Sequence, residues 1–236
     1  MYFPPGDSFT VENWQVPGII DTEPFHVVNA TEDEVTFTAH ASITNYGGYH
    51  FNLDIQRSVR MLRTKDLKQK LGADVLSGVS AVAYETQNTI INAGEETWSK
   101  EKGLVSIWLL GMFTPTGQTV VIVPFQMTDD ADQMITTDYF GTIPADRLIY
   151  QDSILMFRCD GYYRSKIGVN PAIAKPIAGS YDFESNVLTL INVRCRYRRR
   201  LCERYLEDTG RSLRRRRGEL LQRRSADGRR PVGSFL

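Results

Sequence analysis

Cysteine and histidine are both scarce in this chain of 236 residues, which contains three of each. Only Cys159 precedes residue 194, so the sequence supports neither a disulfide framework nor a cysteine-rich zinc site. The histidines show no metal-type spacing, and the chain has no Gly-rich phosphate loop and no nucleophile elbow. The sequence therefore predicts neither a metal site nor a cofactor.

Long hydrophobic runs are also missing. A membrane-spanning helix needs roughly 18 consecutive apolar residues, whereas the longest run here, residues 104–113, is interrupted by Ser106 and Gly111. The first residues lack the charged segment and the apolar segment that together mark a signal peptide. We predict no membrane span, and the sequence leaves the compartment and the oligomeric state open.

Lysine is absent after Val193, where 15 arginines and five acidic residues give a net charge of +10. Residues 1–193 carry 13 basic and 23 acidic residues, so their net charge is −10 and the chain is neutral only by cancellation. An arginine-rich arm ordinarily indicates nucleic-acid binding. Evolved basic arms usually mix lysine with arginine, however, and this one begins inside a strand pattern, so we predict that nucleic-acid binding is the weakest of the functional alternatives.

A change of reading frame explains this composition. Arginine codons of the CGN type, read one base later, become GNC codons for Gly, Ala, Asp or Val. Shifted in this way, residues 205–236 become rich in the aromatic and turn residues of a β domain. We therefore predict one domain over residues 1–193 and an out-of-frame tail over residues 194–236, disordered or spuriously helical. A genuine basic extension is the alternative.

Strict alternation of apolar and polar residues is the strongest periodic signal. It covers residues 35–44 and 49–56 on either side of a turn at residues 45–48, which predicts a long antiparallel hairpin. Arg57 falls on the apolar side of this pattern, so it must be paired in the core or lie at a bulge. Residues 64–72 are the one good helix candidate, with Thr64 as N-cap.

Further strand patterns fill most of the remaining chain. Residues 79–91 are strand-like, and residues 104–113 and 119–125 are apolar runs typical of central strands covered on both faces. Residues 147–158 and 180–193 predict two more hairpins, with residues 187–191 as a core strand. The predicted fold class is all-β, an antiparallel β-sandwich of about ten strands.

Glu85 is the carboxylate that we predict as a catalytic base. It shares the parity of Val79, Ala81 and Ala83, and burial on an inward face would raise its pKa. The structural alternative is an ion pair with Arg57 or Arg60. His50, or else His40, is the predicted acid, because histidine suits proton transfer near neutral pH. A satisfied surface histidine is the alternative for each.

A polar and aromatic loop at residues 160–168 is a candidate sugar-binding segment, because aromatic rings stack and charged groups donate bidentate hydrogen bonds. An ordinary charged turn is the alternative. We expect Glu85, Asn88, Arg164 and Lys166 to converge on one polar concavity. The complete set of predicted substrate-binding residues is Asn88, Arg57, Asp138, Arg164 and Lys166.

Several segments resemble an uncharacterised bacterial family whose members look like galactose-mutarotase-type β-sandwich proteins. These segments are FTVENWQ (9–15), IDTEPF (20–25), TNY (44–46), LLGMF (109–113), DYFG (138–141) and YRSKIG (163–168). The shifted tail also resembles the end of that family.

The resemblance implies a galactose-mutarotase-like supersandwich with an acid and a base on the inner strands of its large sheet. It also implies that this chain is incomplete, with an internal start. The expected partner is a carbohydrate, and the expected chemistry is of the sugar-epimerase type, impaired in a fragment. A non-catalytic carbohydrate-binding or scaffold domain is the alternative, since the His pair of true mutarotases is not evident.

Overall fold

A computed structural model of the chain describes residues 15–72 and 76–193, together with residues 5–7, 10 and 13. The chain divides into two compact units, Met1–Gly111 and Met112–Leu236. Both units are built from antiparallel strands, so the predicted all-β antiparallel class is confirmed. The predicted tail, residues 194–236, lies outside the described residues.

The first unit contains one four-stranded antiparallel sheet in the order β1-β2-β3-β4. Its strands are β1 (His26–Ala30), β2 (Glu34–Thr44), β3 (His50–Met61) and β4 (Tyr84–Asn92). Strands β2 and β3 form the predicted hairpin, with Thr44 opposite His50 and Glu34 opposite Arg60. Alternation places odd-numbered side chains of β2 and β3 on the face that buries Ala41, Phe51 and Leu53. The even-numbered side chains form the opposite, polar face.

Two short helices accompany this sheet, α1 (Gly18–Asp21) and α2 (Thr64–Leu71). The N-cap of α2 is Arg63 rather than the predicted Thr64, because the backbone N–H of Arg63 donates to the Asp66 carboxylate at 3.1 Å. Leu67 is the buried residue of this helix. The helix ends at Gly72, which has the positive φ of 94° that glycine adopts without strain.

The second unit contains a five-stranded antiparallel sheet in the order β11-β10-β5-β8-β7 and a two-stranded sheet, β6-β9. A 3₁₀ helix, Ala131–Met134, precedes β6. Phe125, Leu155 and Ile173 are almost completely buried at the centre of the core. The strands are β5 (Thr119–Pro124), β6 (Ile135–Thr136), β7 (Leu148–Gln151), β8 (Ile154–Arg158), β9 (Gly168–Val169), β10 (Ile177–Asp182) and β11 (Val187–Asn192).

Both hairpins predicted in the second unit are present, as β7–β8 and β10–β11. Their turns use Asp152 and Asn186 at positive φ, a conformation that Asp and Asn tolerate better than most residues. Strand β5 is central, as predicted, since it lies between β10 and β8.

Three strand predictions were wrong in part. Residues 104–113 form no strand, and exposed side chains include Trp108, Leu110 and Met112. An apolar run becomes a strand only where a neighbouring strand completes its hydrogen bonds, which sequence alone does not reveal. Strand β4 begins at Tyr84 rather than at residue 79. Strand β11 is not a core strand, because it lies at the edge of its sheet among the described strands and most of its side chains are exposed.

No helix in the described part of the chain is long and apolar enough to cross a membrane.

Candidate functional site

A shallow concavity of about 410 Å³ lies on the polar face of the four-stranded sheet. Three neighbouring strands supply its polar groups, because residues of equal parity point to the same face of a sheet. Its volume falls within the range of small-molecule sites. The lining residues are His26, Thr38, Ala39, His40, Asp54, Ile55, Gln56 and Ile91.

His40 and Asp54 form a hydrogen-bonded pair in this concavity. They are direct partners across β2 and β3, and His40 Nδ1 lies 2.8 Å from Asp54 Oδ1. Both side chains are more than half exposed. When Nδ1 carries the proton that is donated to Asp54, Nε2 is left as a proton acceptor towards solvent. The pair therefore has the arrangement of a general base held by a carboxylate.

A second histidine lines the same concavity. His26 on β1 is the register partner of Thr38, which lies two residues from His40 on β2. Such diagonal positions on adjacent strands are about 7–8 Å apart. His26 was not among the predicted site residues, because the signal for it is the β1–β2 register rather than any local motif.

Glu85 lies on the same polar face but belongs to an ion-pair network. Arg60 Nη2 donates to Glu85 Oε1 at 2.5 Å, and Lys70 Nζ donates to Glu85 Oε2 at 3.0 Å. These contacts, with the Arg60 hydrogen bond as the largest cause, lower the pKa of Glu85. The expectation of an inward carboxylate with a raised pKa was wrong, and the Arg60 ion pair that we gave as the structural alternative is what forms.

Glu85 and His50 are not brought together. Glu85 is the register partner of Arg60, which lies ten residues along β3 from His50. At roughly 3.3 Å per residue these positions are about 33 Å apart. The His50 ring accepts or shares a hydrogen bond with Thr44 Oγ1 at 2.7 Å. One sugar ring cannot contact both residues.

Arg57 and Asn88 lie on the opposite, core-bearing face of the sheet. They are direct partners across β3 and β4, and Arg57 Nη1 donates to Asn88 Oδ1 at 3.1 Å. Arg57 is thus paired, and the β2–β3 ladder passes it without a bulge. Glu85 and Asn88 point to opposite faces because they are three positions apart, and an odd offset along a strand changes the face. The predicted convergence of these two side chains on one concavity was wrong.

The other predicted binding residues lie together in the second unit, in two loops that we call the loop pair, residues 137–142 and 161–167. Arg164 stacks over the Phe140 ring with 4.4 Å from guanidinium carbon to ring centroid. Lys166 Nζ lies 4.6 Å from the centroid of the Tyr139 ring. Asp138 is exposed and directly precedes these two rings. The structure therefore brings Asp138, Arg164 and Lys166 into one small region.

Asp160 anchors the second loop. Its side chain is 2% exposed and makes two hydrogen bonds with Arg147, at 3.0 and 2.9 Å. Arg158 Nε lies 3.2 Å away, and the backbone N–H of Tyr162 donates to the same carboxylate. The Arg147 hydrogen bonds are the main reason that the pKa of Asp160 falls to about 2. Asp160 is therefore an ionised structural group rather than a proton donor.

Among the residues that the structure describes, no group of three or more His, Cys, Asp or Glu side chains is arranged to hold a metal ion.

The sequence model of one protein family matches residues 1–212, and this family is described as a family of unknown function (DUF6786). The chain belongs to this family. The prediction of an uncharacterised family is confirmed in this form. The DUF6786 match includes the first residues after Val193, and the out-of-frame tail stays a prediction. Curated proteins and solved structures give no match.

Membership of DUF6786 assigns no activity to the chain, so any proposal has to come from the two regions described above. In the part of the chain that the structure describes, the concavity on the first sheet is where a carboxylate-held imidazole has a second imidazole nearby.

Proposed function

We propose that this protein handles carbohydrates and interconverts the anomers of a free sugar through His40, Asp54 and His26. The observation that carries the proposal is the His40–Asp54 hydrogen bond of 2.8 Å within a concavity of about 410 Å³. The resemblance to galactose-mutarotase-type proteins supports a sugar as the substrate class. The polar lining also suits a sugar, because hydroxyl groups need both hydrogen-bond donors and acceptors.

Anomer interconversion requires two proton transfers. In the proposed reaction, His40 Nε2 takes the proton of the anomeric hydroxyl while the bond between C1 and the ring oxygen breaks. The imidazolium of His26 gives its proton to the ring oxygen, which yields the open-chain aldehyde. Rotation about the bond from C1 to C2 and the reverse transfers close the ring with the other configuration. Asp54 orients the His40 ring and stabilises the imidazolium that forms.

His40 is a better base in this proposal than Glu85. Glu85 has its proton affinity lowered by Arg60 and Lys70, and both of its oxygens are already hydrogen-bonded. Asp54 and Arg60 are six residues apart along β3, so Glu85 lies about 20 Å from the His40–Asp54 pair. We therefore assign Glu85 to holding β3, β4 and α2 together.

The test is the rate at which freshly dissolved α-D-galactose reaches anomeric equilibrium in the presence of the full chain. This rate is followed by the NMR signals of the two anomers over time. We expect the chain to accelerate equilibration, and we expect His40→Asn to reduce that acceleration about 10²–10⁴-fold, the usual contribution of general acid–base catalysis. Asp54→Asn should cause a smaller loss, because it removes orientation and leaves the imidazole.

Two matched controls separate this site from the rest of the same face. His50→Asn and Glu85→Gln should leave the acceleration unchanged, since both residues lie far from the concavity. Loss of acceleration in Glu85→Gln, with the fold intact by circular dichroism, would contradict the assignment. A chain that binds galactose without accelerating its equilibration would instead establish the non-catalytic carbohydrate-binding alternative.

A further inference from the structure

We propose that the loop pair of the second unit is a binding site for an acidic saccharide, with Arg164 and Lys166 holding its carboxylate and exposed aromatic rings stacking on its sugar rings. This inference rests on the proposed function only in taking the ligand to be a saccharide. It concerns different residues from those of the proposed reaction.

The loop pair is held in place before any ligand binds. Asp160 fixes the start of the second loop through Arg147, Arg158 and the Tyr162 N–H. The end of that loop enters β9, which pairs with β6 just before the first loop. The Tyr163 hydroxyl donates to the backbone carbonyl of Thr142 at 3.0 Å, which joins the two loops directly.

Gly168 makes this closeness possible. A Cβ atom at this position would overlap the hydroxyl of Tyr139, so no residue with a side chain fits without moving that ring. The backbone at the start of β9, directly after the second loop, therefore lies against an aromatic ring of the first loop. Such prior ordering lowers the entropic cost of binding.

Aromatic surface is accessible on both loops. Tyr139 is 41% exposed, Phe140 is 53% exposed and Tyr162 is 87% exposed. These rings gain little from burial in the folded chain, and a group of exposed rings is typical of a contact surface. Aromatic rings offer the flat apolar surface on which the C–H face of a pyranose can stack.

The cations provide the charge selectivity. Arg164 and Lys166 lie over the rings of two consecutive residues, Phe140 and Tyr139, and these contacts orient the stems of both cations. Within the described part of the chain, neither forms a salt bridge, whereas the nearby Arg147 and Arg158 are both paired with Asp160. Two oriented cations next to stacking surface fit a carboxylate attached to a sugar ring.

A single-stranded nucleic acid uses similar chemistry, since bases also stack on aromatic rings beside cations. The surrounding charge favours the saccharide. Residues 1–193 carry a net charge of −10, which repels a polyphosphate chain beyond the two local cations. A saccharide of a few residues carries only a few carboxylates, so the two local cations neutralise a larger share of its charge than of the charge on a long polyphosphate chain.

The experiment measures binding of α-1,4-linked tetragalacturonate to the full chain by isothermal titration calorimetry. The matched ligand control is fully methyl-esterified tetragalacturonate, which has the same sugar rings without the charge. We expect the acid to bind at least about tenfold more tightly than the ester, because charge-assisted hydrogen bonds are about twice as strong as neutral ones. Raising the NaCl concentration from about 50 to about 500 mM should lower the affinity for the acid more than the affinity for the ester.

Protein variants test the assigned residues. The double variant Arg164→Gln, Lys166→Gln should lose about tenfold in affinity for the acid, since it removes both cations while retaining similar side-chain length. Lys175→Gln is the matched control, because Lys175 is an exposed cation of the same unit outside the loop pair. The affinity of this variant for the acid should be unchanged. Asp138→Asn should tighten binding of the acid by removing a like charge beside the site.

Equal binding of the acid and its ester, or an unchanged affinity in the double variant, would overturn the proposal. Oligo(dT) binding that is tighter than tetragalacturonate binding at the same salt concentration, and that the double variant loses, would also overturn it and assign the loop pair to nucleic acid. The proposed function and this inference can fail independently of each other. His40→Asn should retain tetragalacturonate binding, and the double variant should retain the acceleration of galactose equilibration.

Discussion

At the residue scale, Asp160 shows how much local structure depends on one carboxylate. It lies two residues beyond the end of β8 and is buried, and two arginines and a backbone N–H contact its two oxygens. Removal of one partner from such a group leaves buried charges unpaired, which is more damaging than the loss of an exposed ion pair. The loop that follows, with Arg164 and Lys166, takes its position from this anchor.

The first prediction concerns the pH dependence of this anchor. The folded-state pKa of Asp160 is about 2, below its ordinary value of 3.8. A depressed pKa means that the ionised group stabilises the fold above about pH 4 and that this stabilisation is lost as the pH falls towards about 2. We expect Asp160→Asn to lower the urea midpoint at pH 7, and we expect the difference from the unchanged chain to shrink below about pH 4.

Asp146→Asn is the control for this measurement, because Asp146 is exposed in the same segment. It should shift the urea midpoint little at any pH. A difference between the unchanged chain and Asp160→Asn that stays constant from pH 7 to about pH 2.5 would contradict a linked titration.

At the scale of elements, strand β11 depends on one close backbone approach. Gly179 in β10 faces Leu190 in β11, and a Cβ at Gly179 would lie 2.5 Å from the carbonyl oxygen of Thr189. A backbone oxygen cannot rotate out of the way as a side chain does. Among the strands that the structure describes, β11 is at the edge of its sheet and has one neighbour, β10, to hold it.

We therefore expect Gly179→Ala to separate β11 from β10 and to lower the free energy of unfolding by about 1–3 kcal/mol, the usual cost of overpacking. Amide hydrogen exchange of Val187–Asn192 should accelerate more than that of β5. The control is Gly117→Ala, where a Cβ would meet nothing within 4 Å. Unchanged exchange in β11 would show that the strands can adjust to the added methyl group.

At the scale of the whole molecule, the charge distribution is the feature with the most direct test. Residues 1–193 carry −10 and residues 194–236 carry +10, without one lysine in the second segment. The out-of-frame hypothesis attributes this to a change of reading frame in the gene, and the alternative is a genuine basic extension. Nucleotide sequence distinguishes the two without any assumption about structure.

The prediction from the out-of-frame hypothesis is that resequencing the gene across the codons for residues 191–212 will reveal a single-base insertion or deletion relative to close relatives. Correcting it should give a protein whose C-terminal segment contains the aromatic and turn residues of further strands. An uninterrupted frame that close relatives share, arginines included, would defeat this hypothesis and establish the basic extension.

The sequence by itself determined the hairpins, because alternation of apolar and polar side chains is a local pattern that the pleat of a strand imposes directly. Residues 35–56 and the segments around Asp152 and Asn186 show this, since their turns are also encoded locally. The helix at Thr64–Leu71 was likewise predictable, although its N-cap was displaced by one residue.

Only the tertiary structure decided which distant groups meet. The partner of Glu85, the neighbourhood of His26 and His40, and the stacking of Arg164 on Phe140 all depend on strand register and loop contacts. The same holds for residues 104–113, whose apolar composition satisfied a strand pattern while no adjoining strand completed a ladder among the described residues. Periodicity specifies the face on which a side chain lies, whereas register and ion pairing depend on residues far away in sequence.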